Sequence, residues 1–349
     1  MKYRRLGHSD LNVSAICLGS MTWGSQNSES EAHDQLDYAT DHGVNFIDTA
    51  ELYPVTPPSR ETQGRTEEII GTWLQGRKRR ETTILASKVA GPAFDPKRPV
   101  RGGNNRLDRR NIEQAINDSL RRLRTDYLDL YQIHWPDRTV AMFGDRARNS
   151  LDDHPDTVPI EETLSVLADL VTAGKVRHVG VSNETSWGAA EYLRLARDGR
   201  LPRIASIQNA YNLLNRLYEG GLAEFSLREG VGLLAYSPLA AGHLTGKYLG
   251  GVTPPGSRLA VTWNFARYDR PTQPIATAQY VAIAHAHGLD AATMALAFVN
   301  QQPFVTANII GATTPQQLAV AIASIDVTLD EAVVAAIEAV HAQLPDPCP

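Results

Sequence analysis

Eight short apolar runs, each followed by an amphipathic stretch, predict an α/β fold in which eight parallel strands close into a (β/α)8 TIM barrel. Three observations carry this reading. The runs are apolar throughout rather than alternating, as strands covered on both faces must be. Helical periodicity separates them, so the connections are crossovers and the strands run parallel. Eight such repeats argue for closure. An open doubly wound sheet should carry GxGxxG after its first strand, and the chain contains none. Barrels with insertions run from ~200 to over 400 residues, so residues 1–349 are expected to form a single domain.

The elements follow in order. Runs at 3–6 and 11–14, joined by Gly7-His8-Ser9-Asp10, read as a β-hairpin ahead of the barrel. The barrel strands are then 15–18, 44–47, 83–86, 127–133, 176–181, 204–207, 231–235 and 308–310. Residues 30–42 place Ala32, Leu36 and Ala39 at helical spacing and end at Gly43, which suits a left-handed cap. Residues 109–123 repeat Ile112, Ala115, Ile116, Leu120 and Leu123 behind Asp108, a plausible N-cap. Helices are also expected at 160–173, 185–198, 222–229, 275–287 and 315–324, with an extra C-terminal one at 330–342. The basic run Arg77-Lys78-Arg79-Arg80 ends another helix, where cations suit the dipole.

Composition excludes several function classes. The net charge is −5, so no positive excess is available for a phosphate backbone, and nucleic acid is not expected as a partner. The two cysteines, Cys17 and Cys348, form neither a disulfide framework nor a CxxC metal site. No apolar stretch reaches the ~18 residues of a membrane span, and Met1-Lys2-Tyr3-Arg4-Arg5-Leu6 does not open like a signal peptide. The expectation is a cytoplasmic protein without membrane or metal. Nothing in the sequence reports the oligomeric state.

Four polar, Pro/Gly-rich segments exceed a minimal barrel: 54–65, 91–106, 136–158 and 240–272. Each follows a strand, so all lie at the face where βα loops build sites. The residues that close the strands are equally informative. Strand ends carry Asp48, Lys88, His134, Ser182-Asn183, Gln208-Asn209 and Tyr236-Ser237. Closure brings them into one polar ring, with neighbouring strands ~4.8 Å apart. Taken singly each has a plainer role: Asp48 as a cap, Lys88 as a surface lysine, His134 in a turn, Tyr53 in packing. Three ionisable residues ending consecutive strands are harder to assign to structure alone, because such groups are normally kept out of apolar strand ends.

The chemistry they fit is reduction of a carbonyl. The oxygen gains negative charge and needs a proton. Tyr53 offers one, and a neighbouring Lys88 ammonium would ease its release by lowering a phenol pKa near ~10. Asp48 would secure the charge of a buried Lys88. His134 would orient the carbonyl oxygen.

These residues stand in motifs that resemble the aldo-keto reductase superfamily: Phe46-Ile47-Asp48-Thr49-Ala50-Glu51-Leu52-Tyr53, Ser87-Lys88-Val89, Leu130-Tyr131-Gln132-Ile133-His134-Trp135, Gly180-Val181-Ser182-Asn183, Ile207-Gln208-Asn209 and Tyr236-Ser237-Pro238-Leu239. Within it, Met21-Thr22, Glu61-Thr62-Gln63-Gly64 and the run from Asn209 to Arg216 resemble one bacterial branch. The resemblance implies a catalytic tetrad of Tyr53, Asp48, Lys88 and His134 and a nicotinamide cofactor. Ser182, Asn183 and Gln208 would hold the carboxamide, and Tyr236 would stack on the ring. The backbone of Ser237, Pro238, Leu239 and Ala241, with Lys247, would hold the pyrophosphate. Gly19, Ser20 and Met21 would border the nicotinamide side. Met21, Trp23 and Trp135 would wall the substrate pocket. Gly242-His243-Leu244-Thr245-Gly246-Lys247-Tyr248 looks like a P-loop but is one residue short, with Tyr where Ser or Thr must hold magnesium.

At the adenosine end, Gly311 and Gln317 resemble the potassium-channel β-subunit branch, whereas Val320 and Ala321 depart from its acid and amide. NADPH/NADP+ is the expected cofactor, with Arg258, Thr313 and Gln317 near the 2′-phosphate, looser adenine binding, and NADH left open. The partner expected is a small carbonyl compound. Two rival classes remain: a slow nucleotide-binding regulatory protein like the channel β-subunits, and a barrel hydrolase or lyase using Asp48 and His134.

Overall fold

The computed structural model describes residues 1–92, 100–103, 105–145, 152–262 and 267–349. Parts of three expected long loops, at 93–99, 104, 146–151 and 263–266, lie outside the described residues. Strands β1 (Tyr3–Arg5) and β2 (Asn12–Ser14) form the antiparallel hairpin. Strands β3 (Ile16–Gly19), β4 (Phe46–Asp48), β5 (Ile84–Val89), β6 (Leu128–Ile133), β7 (Val176–Ser182), β8 (Ile204–Ala210), β9 (Gly232–Tyr236) and β10 (Val305–Ile310) follow. They close in parallel in the order β10-β3-β4-β5-β6-β7-β8-β9, the TIM barrel expected from the eight apolar runs.

The helices are α1 (Glu29–Asp41), α2 (Arg65–Arg77), α3 (Arg109–Leu123), α4 (Ile160–Thr172), α5 (Ser186–Leu195), α6 (Leu222–Glu229), the short α7 (Arg258–Val261), α8 (Gln273–Ala286), α9 (Ala291–Gln301), α10 (Pro315–Ala323) and α11 (Glu331–Gln343). Local chemistry sets their starts. Ser28 and Glu31 form a reciprocal capping box on α1, and the Asp108 carboxylate accepts from Asn111 N at 2.8 Å to begin α3. Helix α9 escaped the sequence reading because it has no polar stripe: Ala291 and Met294 to Asn300 are all buried. Among the described residues no single helix is long and apolar enough to cross a membrane.

Two apolar layers result. The larger lies between strands and helices. The smaller fills the barrel, where Cys17, Phe46, Ala86, Leu130, Leu234 and Ala307 meet Leu6, Leu11 and Val13 of the hairpin, which plugs the N-terminal end. Strand side chains alternate between faces. Since Phe46, Ala86 and Leu130 point inward, Asp48, Lys88 and Gln132, each two residues on, point inward one layer higher. The register Asp48↔Ala86 and Lys88↔Gln132 sets them at the C-terminal mouth.

Candidate active site

Lys88 is wholly buried and Asp48 is 2% exposed. Lys88 Nζ donates to Asp48 Oδ2 at 2.5 Å and to Thr49 O at 2.9 Å. The other carboxylate oxygen, Oδ1, accepts from Gln132 Nε2 at 3.1 Å and Gln208 Nε2 at 2.9 Å. Gln208 Nε2 also donates to Gln132 Oε1 at 3.0 Å. Burial is the largest influence and pulls the Lys88 pKa down, but the Asp48 charge, the Tyr53 phenol and the hydrogen bond to Asp48 together outweigh it, and the balance is a raised value. Lys88 is therefore an ammonium through neutral pH.

The segment after β4 turns Tyr53 back over this pair, with Lys88 Nζ 5.0 Å from the ring centroid. The His134 ring stands 5.8 Å from the Tyr53 ring, nearly edge-on at 76°. The structure thus brings the four expected tetrad residues together. One expectation needs correcting. Burial raises the Tyr53 pKa, and the opposing pull of Lys88 lowers it by less, so the phenol titrates above its ordinary value rather than below. Burial and then the Lys88 charge push His134 well below 6.5, so its imidazole is neutral. His134 Nδ1 is buried without a hydrogen bond.

Glu51, on the Tyr53 segment, was not singled out from sequence. It is 3% exposed, accepts from Ala90 N at 2.7 Å and pairs with Arg101. Arg101 also donates to Ala90 O at 3.2 Å, and Glu51 N to Lys88 O at 3.3 Å. These bonds tie the Tyr53 segment to the end of β5. Gln132 was missed as well. Its signal was legible: a polar residue in an apolar strand, in phase with Leu130, two before His134.

The remaining expected residues fall around the mouth. Ser20 Oγ donates to Asp48 O at 2.8 Å. A Cβ on Gly19 would stand 2.9 Å from Ile309 Cγ2 and Ile310 O, so barrel closure alone demands glycine there. Ser182 Oγ donates to Gln208 O at 2.6 Å. Asn183 Nδ2 donates to His134 O at 2.8 Å, and its Oδ1 accepts from the Tyr236 hydroxyl at 2.7 Å. Arg267, also missed, donates to that hydroxyl from both Nη atoms at 3.3 Å and lies over the Phe143 ring.

After β9, Ser237, Ala240, Ala241 and Gly242 all have positive φ (56, 48, 56 and 94°). Left-handed backbone is costly for alanine and serine, and here it gathers in one turn with Pro238 and Leu239. A Cβ on Gly242 would meet Lys247 Nζ at 2.9 Å, so the lysine lies against this turn. Such a turn beside an ammonium fits an anion such as a pyrophosphate. Thr313 Oγ1 donates to Gln317 Oε1 at 3.1 Å, and Asn27 Nδ2 to Thr313 O at 3.1 Å. A Cβ on Gly311 would meet nothing within 4 Å. Arg258 is directed to the mouth, where it hydrogen-bonds Thr56 Oγ1 and has Met21 Sδ at 3.9 Å.

Trp23 is a correction. It is fully buried in the layer between barrel and helices, and its Nε1 donates to Gln35 Oε1 of α1 at 3.1 Å. Its bulk fills core and does not wall a pocket. Trp135 does stand at the mouth, 4.8 Å from the His134 ring and 6.4 Å from the Phe143 ring.

Comparison with known proteins agrees with this geometry. The profile of the aldo/keto reductase family matches residues 15–342. The chain is 52% identical to Protein tas of Escherichia coli (strain K12) over all of both chains. It is 33% identical to the uncharacterized oxidoreductase YrpG of Bacillus subtilis (strain 168), over 95% of this chain and 93% of that one. It is 31% identical to a probable voltage-gated potassium channel subunit beta of Arabidopsis thaliana, over 94% of this chain and 92% of that one. A closed eight-stranded barrel, four converging polar residues at its mouth and a full-length match place the chain in the aldo/keto reductase family of oxidoreductases.

Proposed function

We propose that the chain reduces an aldehyde or ketone to the alcohol, with NADPH as the favoured cofactor and Tyr53 as the proton donor. The main support is the Tyr53 ring held over a buried Lys88–Asp48 pair and edge-on to a neutral His134. The cofactor, when bound, supplies the hydride. The residues present fit it. The left-handed turn from Ser237 to Gly242, with Lys247, suits the pyrophosphate. Tyr236 offers a flat face to the nicotinamide, and Ser182, Asn183 and Gln208 surround the carboxamide position. Thr313 and Gln317 are assigned to the adenosine side, whereas Arg258, expected beside them, reaches inward to Thr56 and Met21.

The chain's own part is proton handling and orientation. Tyr53 keeps its proton through neutral pH because burial opposes the phenolate. Neutral His134 orients the carbonyl oxygen by a hydrogen bond. As negative charge grows on that oxygen, the proton passes from Tyr53 Oη to it. Lys88 stabilises the phenolate left behind, and Asp48 keeps Lys88 charged. Trp135, Phe143 and Met21 give the pocket an apolar wall, suited to a substrate with a hydrophobic body. We assign the protein to the cytoplasm, consistent with two buried free thiols.

A second reading, a nucleotide-binding regulatory protein of low turnover, draws on the likeness to the channel β-subunit. One experiment separates them: NADPH consumption and alcohol formation with a panel of aromatic and aliphatic aldehydes. Alcohol formed in proportion to NADPH oxidised supports the reductase. NADPH bound tightly with no turnover on any of them refutes it and favours the regulatory reading.

A further inference from the structure

We propose that Gln132 is a positioning residue that, together with Asp48, fixes the polarity of the Gln208 amide, so that Gln208 offers its carbonyl oxygen to the nicotinamide carboxamide. The inference rests on the nicotinamide reading above and concerns a residue outside the tetrad.

The argument is one of donors and acceptors. A carboxylate only accepts, and a primary amide has two hydrogens on nitrogen and one accepting oxygen. Asp48 Oδ2 is taken by Lys88, and Oδ1 accepts from the nitrogens of both glutamines. Because Gln132 turns its Nε2 to Asp48, its Oε1 faces Gln208 and takes the second Gln208 hydrogen at 3.0 Å. Both hydrogens of Gln208 are then directed inward. Flipping the Gln208 amide would set its oxygen against the Asp48 carboxylate and the Gln132 oxygen together. With Gln132 wholly buried and Gln208 and Asp48 at 3% and 2% exposure, water is poorly placed to relieve that clash.

The glutamine is itself held in place. Gly180 lies opposite it in register, and a Cβ there would stand 3.2 Å from Gln132 Cγ and 2.7 Å from Ser206 Oγ. A glycine leaves the space that the Gln132 side chain needs. Gln208 Oε1 is the atom that remains. Among the described residues nothing donates to it, and it is not among the polar atoms sealed from solvent without a partner. An oxygen fixed in this way selects a donor, which the carboxamide NH2 is and a methyl group is not.

The test compares the binding of NADP+ with that of its acetylpyridine analogue, in which a methyl replaces the carboxamide NH2, by quenching of protein fluorescence. Wild type should prefer NADP+ by about 10-fold, the scale of one buried hydrogen bond. In Gln132→Leu the Gln208 amide keeps its bond to Asp48 Oδ1 but loses its second anchor, and the preference should shrink to about 3-fold or less. Gln132→Met gives the same test should the leucine variant fold poorly. A merely structural role would weaken both ligands alike and leave their ratio unmoved. A folded variant with the wild-type ratio overturns the proposal, as does a wild type that binds the two equally. A wild type that binds neither overturns the nicotinamide reading itself, and the proposal with it.

Discussion

Replacing Asp48 with asparagine leaves the shape of the site and removes the carboxylate that pairs with Lys88. The structure fixes the cost. Lys88 is fully buried and its Nζ needs an acceptor where Asp48 Oδ2 stands. Gln132 Nε2 and Gln208 Nε2 need one where Oδ1 stands. An amide supplies one acceptor and one donor, so in either orientation a donor faces donors. Breaking a buried ion pair by removing one partner costs roughly 3–5 kcal/mol. At an unfolding entropy of ~2.1 cal/mol/K per residue, 349 residues give ~0.7 kcal/mol/K, so the Tm should fall by ~4–7 °C. Without Asp48, burial is left to pull Lys88 toward its neutral form. The Tyr53 phenolate then loses its support, and turnover should drop by ~100-fold or more. Differential scanning calorimetry and steady-state kinetics on the same preparation read both. A variant that melts within ~1 °C of wild type and turns over normally would refute the Asp48–Lys88 argument.

Further consequences concern other parts of the barrel. Trp23→Ala should destabilise by about 3–5 kcal/mol, as large-to-small changes at buried aromatics do, while the order of preferred aldehydes stays as in wild type. An altered substrate order in a protein of normal stability would return Trp23 to the pocket. Glu51→Gln should loosen the Tyr53 segment and cut turnover about 10- to 100-fold with little change in NADPH affinity. Equal turnover would show that Arg101 and Glu51 do not position it. The rate of reduction should stay level through neutral pH, because Tyr53 is held above its ordinary value and His134 well below its own. A rate limb near ~6.5 would mean that His134 titrates in the ordinary range. Burial also lowers His243, to about 4. The folded state therefore binds fewer protons than the unfolded one below ~6.5, and stability is lost as pH falls toward 4, by up to about 3 kcal/mol for this group. His243→Gln should flatten chemical-denaturation stability over that window, and an unchanged slope would count against it.

The barrel was legible because its strands are buried on both faces and so stand out as unbroken apolar runs. The tetrad was legible because ionisable residues end consecutive strands, where apolar ones are the rule. What escaped depends on direction and packing. Trp23 lies three residues beyond Ser20, and nothing in the sequence says that its ring turns outward to Gln35 rather than inward to the mouth. Gln132 was readable from strand parity but only with the neighbouring strands in register, which set it beside Gln208 and Asp48. Glu51 and Arg101 are fifty residues apart on separate loops, and only closure of the mouth brings them together. Arg258 carries no local signal for which way its long side chain reaches. The sign of the Tyr53 shift is a balance between burial and Lys88, and burial is a property of the folded chain.

The central claim is that Tyr53 gives the proton. Its most direct test is a single-turnover measurement of NADPH oxidation by an aldehyde, with Tyr53→Phe beside wild type and NADPH affinity measured for both. The variant should bind NADPH as wild type does and lose turnover by orders of magnitude. A phenylalanine variant that binds and turns over at the wild-type rate would contradict it.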